Sequence, residues 1–164
     1  MIHPMVMWMD PGLDSGLAWL WDTGTRFAAN EFRLPELVGQ IENTCARYGP
    51  LMACGYERYF PIPGKPQTNA SDAIEPIGVL KSAAIRYGCH MLKPAEPCTP
   101  KTEDRLQLEA IGWWVPGKDD AQSAANQMLR YCRRSGNLPP HVAAVLSALP
   151  GTIPGRTGRR TKRS

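Results

Sequence analysis

The order of strands and helices in this sequence predicts an α/β protein with a mixed five-stranded sheet and helices on both faces. Three strand candidates come first, at residues 5–9, 17–21 and 25–33, and the turns between them predict an antiparallel meander. Two more, at residues 51–56 and 89–92, alternate with segments of helical periodicity. A meander followed by alternating helices and strands is typical of a sheet that has both antiparallel and parallel pairs and is covered by helices.

The strand candidates at residues 5–9 and 51–56 are short apolar runs, and an acid follows each of them directly. The first run (MVMWM) ends at Asp10, and Pro11 and Gly12 then mark a turn. The other run (LMACGY) ends at Glu57. Runs of this kind are typical of buried strands, so both acids are expected at the edge of a buried sheet.

Five segments carry apolar residues at helical spacing. In the first, residues 34–48, Leu37, Ile41 and Cys45 recur every four residues before a Gly-Pro stop. The others are residues 73–87, with Asn69 or Ser71 as a cap, 102–111, 120–134 and a short helix at 140–149. The first helix is expected to be the crossover that leads from the meander to the strand at residues 51–56.

Length and charge predict one domain at residues 1–150 and a basic tail at residues 151–164. A chain of 164 residues with 43% hydrophobic content can bury one core, with little left for a second. Residues 155–164 carry five Lys and Arg and no acid, which leaves fourteen basic against fifteen acidic residues elsewhere. Such a tail is expected to be disordered and to attract polyanions, so nucleic acid is the leading partner. A merely solubilising tail is the alternative.

The cysteines predict a reducing compartment. The five Cys include no CxxC pair and no His at zinc-ligand spacing, so they are interpreted as free, mostly buried thiols. Together with the lack of a signal segment, this usage predicts a cytoplasmic protein. No apolar run approaches the roughly 20 residues of a membrane helix, so no membrane partner is expected.

Three acids far apart in the sequence are expected to converge at one end of the sheet. Asp10 and Glu57 follow buried strands, and Asp120 begins a late helix. Mg²⁺ and Mn²⁺ prefer oxygen ligands, and two such ions about 3.5 to 4 Å apart can clamp the attacking water and the leaving oxygen of a phosphodiester. The pattern therefore predicts a nuclease that depends strictly on divalent metal, with a metal-activated water as its nucleophile.

Each acid also has a structural explanation. Asp10 before Pro-Gly is a common start of a turn. Glu57 can pair with Arg58. Asp119, with Gln122 three residues later, resembles a helix capping box, and Asp120 is then a favourable first-turn charge.

In this order, the acids and their surroundings resemble the RuvC-like Holliday junction resolvases, and the short phage enzymes in particular, over about residues 5–134. Each segment alone is a weak signal of the family, but their order along the chain is fairly specific. The matching segments are Met-Asp-Pro-Gly at 9–12 with Ser15-Gly16, GYERYF at 55–60, NASDA at 69–73 leading to Gly78-Val79, and PCTPK at 97–101.

The resemblance implies an RNase H-like fold and a metal-dependent endonuclease that resolves four-way junctions, with phage genome replication and packaging as its setting. It also implies a homodimer whose two active sites face the junction and make symmetrical nicks. Position by position, Asp10, Glu57 and Asp120 match three catalytic acids that hold Mg²⁺ or Mn²⁺.

The sequence departs from the family pattern at the fourth acid, which family members usually carry one helical turn after the third. Here that position is Ser123. A serine hydroxyl can hydrogen-bond to metal-bound water but brings no charge, so the second ion should be held more weakly. Asp119 is the alternative fourth ligand, although it lies about 100° around the helix from Asp120.

Several residues are expected to meet DNA. Phe60 matches a family aromatic that stacks near the opened junction centre, and one of Tyr59 and Phe60 is expected to anchor the loop to the core instead. Lys101 matches a basic residue near the scissile phosphate, and its alternative is an ordinary exposed lysine. The residues expected to track phosphates are Lys118, Arg156, Arg159 and Arg160.

Two other functions fit the same sequence. One keeps the fold and changes the substrate to flaps, forks or RNA-containing duplexes. The other is a junction-binding protein with little catalysis, which the missing fourth acid would explain.

Overall fold

The structure is a computed structural model that describes residues 4–21, 24–59, 70–98 and 100–150. Its strands are β1 (Met5–Asp10), β2 (Asp14–Trp21), β3 (Arg26–Arg33), β4 (Met52–Tyr56) and β5 (His90–Met91). Its helices are α1 (Leu34–Tyr48), α2 (Ala70–Tyr87), α3 (Thr102–Ala110), α4 (Asp119–Ser135) and α5 (Pro140–Ala148), with one 3-10 turn at Gly49–Leu51. The predicted basic tail at residues 151–164 lies outside the described residues.

The strands form one five-stranded sheet in the order β3-β2-β1-β4-β5. The pairs β3–β2 and β2–β1 are antiparallel, and the pairs β1–β4 and β4–β5 are parallel. This arrangement confirms the predicted meander and the predicted mixed sheet. No helix in the described part of the chain combines the length and the apolar character that crossing a bilayer requires.

Helices α1 and α2 cover one face of the sheet. Its buried side chains come from the odd-numbered residues of β1 and β2, such as Met7 and Leu17, and pack with Leu37 and Ile41 of α1. The apolar residues that recur at helical spacing in residues 34–48 are therefore the ones that α1 packs against the sheet.

Helices α3, α4 and α5 cover the opposite face. Val6 and Trp8 of β1 pack there against Ala124 and Met128 of α4. The Trp8 ring lies over Gly55 of β4, where any added Cβ would overlap it. Small residues on this face thus allow a large ring and a helix to pack closely on the sheet.

Two of the helix caps considered in the sequence analysis are not formed. Helix α2 begins at Ala70, so Ser71 lies inside its first turn and does not cap it, and Asn69 lies outside the described residues. Helix α4 begins at Asp119, as predicted to within one residue, and has no side-chain cap from its own N-cap residue, Lys118. The expected capping box also fails, because Asp119 is the first helical residue and not the N-cap. The Gln122 amide instead donates to the Val115 carbonyl at 2.7 Å.

The first turn of α4 sits directly on Gly16 of β2. A Cβ at Gly16 would overlap the carbonyl group of Asp120 and lie 2.6 Å from the amide nitrogen of Ala121. Gly16 is paired with Asp10 on one side and with Glu31 on the other. The lack of a side chain at Gly16 therefore places the start of α4 between these two acids.

Replacing Gly16 by alanine should destabilise the protein, because backbone atoms of α4 must move to admit the methyl group. We expect a loss of about 1 to 3 kcal/mol in the free energy of unfolding, measured by urea denaturation. Gly39→Ala is the matched control, since a Cβ at that exposed helical position meets nothing within 4 Å. That variant should gain about 0.5 to 1 kcal/mol. Equal stabilities of the two variants would contradict the packing argument.

Candidate active site

Three carboxylates lie in one row across the sheet, at the end where β1 finishes. Glu31 of β3 and Asp10 of β1 flank Gly16 in register. Glu57 follows β4, and its backbone N–H donates to the Met9 carbonyl at 2.9 Å. Because residues paired across a sheet share a face, all three acids point toward α4.

Asp120 of α4 joins this row from above, and burial among these carboxylates raises the pKa of Asp10. The pKa of Asp10 rises from 3.8 to about 8, first because the group is buried and then because Glu57, Asp120 and Glu31 are negatively charged nearby. A hydrogen bond with Ser123 acts in the opposite direction. Asp10, Glu57 and Asp120, which the sequence predicts to converge, therefore lie close enough for the charges of Glu57 and Asp120 to raise the pKa of Asp10.

The pKa of Asp120 is raised for the same reasons. It moves from 3.8 to about 6, mainly through burial and then through the charges of Glu31, Asp14, Asp119 and Glu57. Asp119 itself is exposed at the first position of α4, whereas Asp120 is half-buried.

Glu57 is fixed by two donors on one carboxylate oxygen. Its Oε2 accepts the backbone N–H of Cys98 at 3.1 Å and the side-chain amide of Gln127 at 2.8 Å. The Gln127 amide also donates to the Glu96 carbonyl at 2.9 Å. The sequence analysis offered Arg58 as an ion-pair partner of Glu57, but the Arg58 guanidinium pairs with the Glu96 carboxylate at 3.3 Å.

Glu31 is a site residue that the sequence analysis missed. Its Oε1 accepts the backbone N–H groups of Asp120 at 2.8 Å and Ala121 at 3.4 Å, so it caps α4 from the neighbouring strand. A carboxylate at a helix N-terminus also interacts favourably with the helix dipole. The signal in the sequence was the alternation of Phe27, Ala29 and Glu31, which puts Glu31 on the covered face of β3.

The two positions proposed for a fourth ligand differ in placement. Ser123 lies one helical turn beyond Asp120 and hydrogen-bonds to the Asp10 carboxyl group, so it faces the row of acids. Asp119 lies at the helix start and acts electrostatically on Asp120.

Three of the residues expected to meet DNA are described by the structure, and they lie on segments close to the acids in the chain. The Lys118 ammonium donates to the Asn30 side-chain carbonyl, next to Glu31. Tyr59 is half-buried two residues beyond Glu57, and Lys101 is exposed as the N-cap residue of α3. Four predicted DNA contacts lie outside the described residues, namely Phe60, Arg156, Arg159 and Arg160.

The donor set fits a hard divalent cation. Among the described residues, the arginine ion pairs use other acids, so none of them neutralises Asp120 or the three acids of the row. The paired acids are Asp14, Glu42, Glu96, Asp104 and Glu109. Clustered carboxylates without a cation must take up protons, as the raised pKa of Asp10 indicates. Carboxylate oxygens are the ligands that Mg²⁺ and Mn²⁺ prefer.

A mixed sheet of this order, with helices on both faces, is an RNase H-like fold. Within that class the chain has the fold of RuvC. Two solved structures of Thermus thermophilus RuvC, one of them in complex with a Holliday junction substrate, each match with a TM-score of 0.56. Both are 16% identical in sequence, and each match covers 81% of this chain and 97% of the RuvC chain. No protein-family model and no curated protein matches the sequence.

Removing the Gln127 amide should weaken metal binding, because Glu57 loses the side-chain donor that orients it. We expect Gln127→Leu to bind Mn²⁺ about 10 to 100 times more weakly in a calorimetric titration. Gln122→Leu is the matched control, since that amide is also buried on α4 but donates to Val115. Equal losses of Mn²⁺ affinity in the two variants would show a general effect on α4 instead.

The raised pKa of Asp10 should make the metal-free protein less stable as the pH rises. Between 3.8 and about 8 the folded state binds a proton that the unfolded state has released, so stability is lost across this interval. In EDTA, the free energy of unfolding should fall by about 1 kcal/mol for each pH unit between pH 5 and 8. Asp10→Asn should flatten this dependence, and identical slopes for the two proteins would refute the assignment.

Proposed function

We propose that this protein is a metal-dependent endonuclease that cuts branched DNA, with four-way junctions as its main substrate. The observation that carries the proposal is the row of Glu31, Asp10 and Glu57, joined by Asp120 of α4, on a RuvC fold. These acids have no neutralising arginine among the described ion pairs, and the pKa values of Asp10 and Asp120 are raised. A site of this kind is suited to bind cations that act on a polyanionic substrate.

In this proposal, Asp10, Glu57 and Asp120 hold two Mg²⁺ or Mn²⁺ ions. Bound divalent metal supplies positive charge at the scissile phosphate and lowers the pKa of the attacking water. Gln127 keeps the Glu57 carboxylate in place, and Glu31 fixes the start of α4 through its hydrogen bond to Asp120.

The DNA would run across the same end of the sheet. Lys101 and Lys118 are proposed to neutralise phosphate charge, and Tyr59 and Phe60 to stack on bases at the branch point. Arg156, Arg159 and Arg160 of the tail at residues 151–164 are proposed to add affinity that does not depend on DNA sequence. Support for a junction comes from Thermus thermophilus RuvC, which has been solved with a Holliday junction substrate.

A homodimer, with one active site for each of two opposed strands, is proposed on the same analogy. The protein would act in a reducing cytoplasm, that of the host cell if a phage encodes it.

The test is cleavage of a labelled synthetic four-way junction in Mg²⁺ or Mn²⁺. The wild type should make paired nicks, and Asp10→Asn and Glu57→Gln should each lose at least about 100-fold in rate. Glu42→Gln is the matched control, because this acid pairs with Arg86 away from the site. Matched flaps, forks and RNA-containing duplexes in the same assay would show whether another substrate is preferred.

One observation favours a second candidate, a junction-binding protein with little catalysis. Ser123 brings no charge to a position that faces Asp10. Tight binding of the junction by the wild type without nicks in either metal would establish that function and remove the nuclease proposal.

Two acids compete for the fourth ligand position, Asp119 and Glu31. We expect Glu31→Gln to raise the Mn²⁺ concentration needed for half-maximal cleavage more than Asp119→Asn does, by about 10-fold. The reason is that the charge of Glu31 acts on both Asp10 and Asp120. Glutamine keeps an oxygen acceptor for the α4 N–H groups, so the substitution tests charge. A larger effect of Asp119→Asn would assign the position to Asp119.

A further inference from the structure

Three cysteines converge inside the core that α1 and α2 form with the sheet. The sulfur atoms of Cys45, Cys54 and Cys89 all lie within 4.8 Å of one another. Cys45 and Cys54 are fully buried, and Cys89 is 9% exposed. The three come from α1, from β4 and from the residue before β5, so spacing in the sequence gave no sign of the cluster.

Two methionines flank the same point. Cys54 is in register with Met7 on β1 and with Met91 on β5. Side chains paired across neighbouring strands share a face and lie about 5 Å apart at their Cβ atoms. Met7 belongs to the same buried core as the three cysteines, and Met91 packs against that core. The three thiols are thus bordered by two thioether side chains.

The separations suit a single bound ion. Thiolate sulfur binds a metal such as zinc at about 2.3 Å, which in a trigonal arrangement leaves the sulfurs about 4 Å apart. The observed separations of up to 4.8 Å therefore need only small side-chain rotations. Free cysteines are often buried as small apolar residues, but that tendency does not bring three of five to one point.

We propose that Cys45, Cys54 and Cys89 form a binding site for one soft, thiophilic cation, with Cu⁺ as the ion that fits best. Thiolate and thioether ligands select Cu⁺, whereas structural zinc almost always takes four ligands. Each coordinating thiol releases its proton to solvent when the ion binds.

This site is separate from the row of acids. Cys54 of β4 faces α1 and α2, whereas Glu57, which directly follows β4, faces α4. The sheet lies between them, and the ligand types differ, because Mg²⁺ and Mn²⁺ prefer oxygen. The proposal therefore does not rest on the proposed nuclease activity, and the ion is expected to stabilise the fold.

The experiment is a titration of the reduced, full-length protein with Cu⁺ under anaerobic conditions, in competition with a coloured Cu⁺ chelator. The wild type should retain one Cu⁺ per chain, and its thermal unfolding temperature should rise. Cys54→Ser should bind Cu⁺ at least about 10 times more weakly. Cys132→Ser is the matched control, because Cys132 is buried on the opposite face of the sheet. Equal losses in the two variants would overturn the proposal.

A measurement on the wild type alone guards against a Cys54→Ser variant that does not fold. X-ray absorption of the copper-loaded protein should show only sulfur as the first neighbour of the ion. Nitrogen or oxygen neighbours, or no retained Cu⁺ at all, would overturn the assignment. Cys89→Ser, at the edge of the core, provides a second variant for the titration.

Discussion

The close approach of α4 to Gly16 determines the geometry of the site. Because β2 offers only a backbone there, the first turn of α4 lies against the sheet and brings Asp120 over the edge where Asp10 ends β1. Any side chain at Gly16 would lift the helix and separate these two acids. The same contact explains how Glu31, on the far side of Gly16, reaches the N–H groups of Asp120 and Ala121. The missing side chain of Gly16 thus allows acids from β1, β3 and α4 to lie close together.

Bringing the acids together opposes folding, and the structure offsets this cost locally. Burial and mutual repulsion raise the pKa of Asp10 and Asp120, so an isolated cluster is unfavourable when ionised. Hydrogen bonds to carboxylate oxygens reduce the cost at Glu57, through Cys98 and Gln127, and at Glu31, through the start of α4. Neutral donors cannot cancel the repulsion between ionised carboxylates, so part of this cost remains wherever all four are charged.

The sequence predicted the sheet and the convergence of Asp10, Glu57 and Asp120 because the signals are local, Asp120 being marked by its place at a helix start. Apolar runs mark buried strands, and an acid directly after such a run must lie at the sheet's edge. Glu31 was not predicted because β3 has several polar residues and no buried apolar run. Its role depends on its register with Gly16, which periodicity alone does not give. Gln127 and the cluster of Cys45, Cys54 and Cys89 escaped for the same reason, since each depends on contacts between elements far apart in the chain.

Strand β4 shows how one short segment can serve two kinds of chemistry. Side chains alternate between the faces of a strand, so Cys54 enters the sulfur-rich core while Gly55 admits the Trp8 ring on the other side. Glu57, two residues after Gly55, then continues on the Trp8 face and joins the acids. Carboxylate oxygens and cysteine sulfurs are thereby kept on opposite faces, and a cation that prefers oxygen has little affinity for sulfur. The pleat of the strand alone produces this separation.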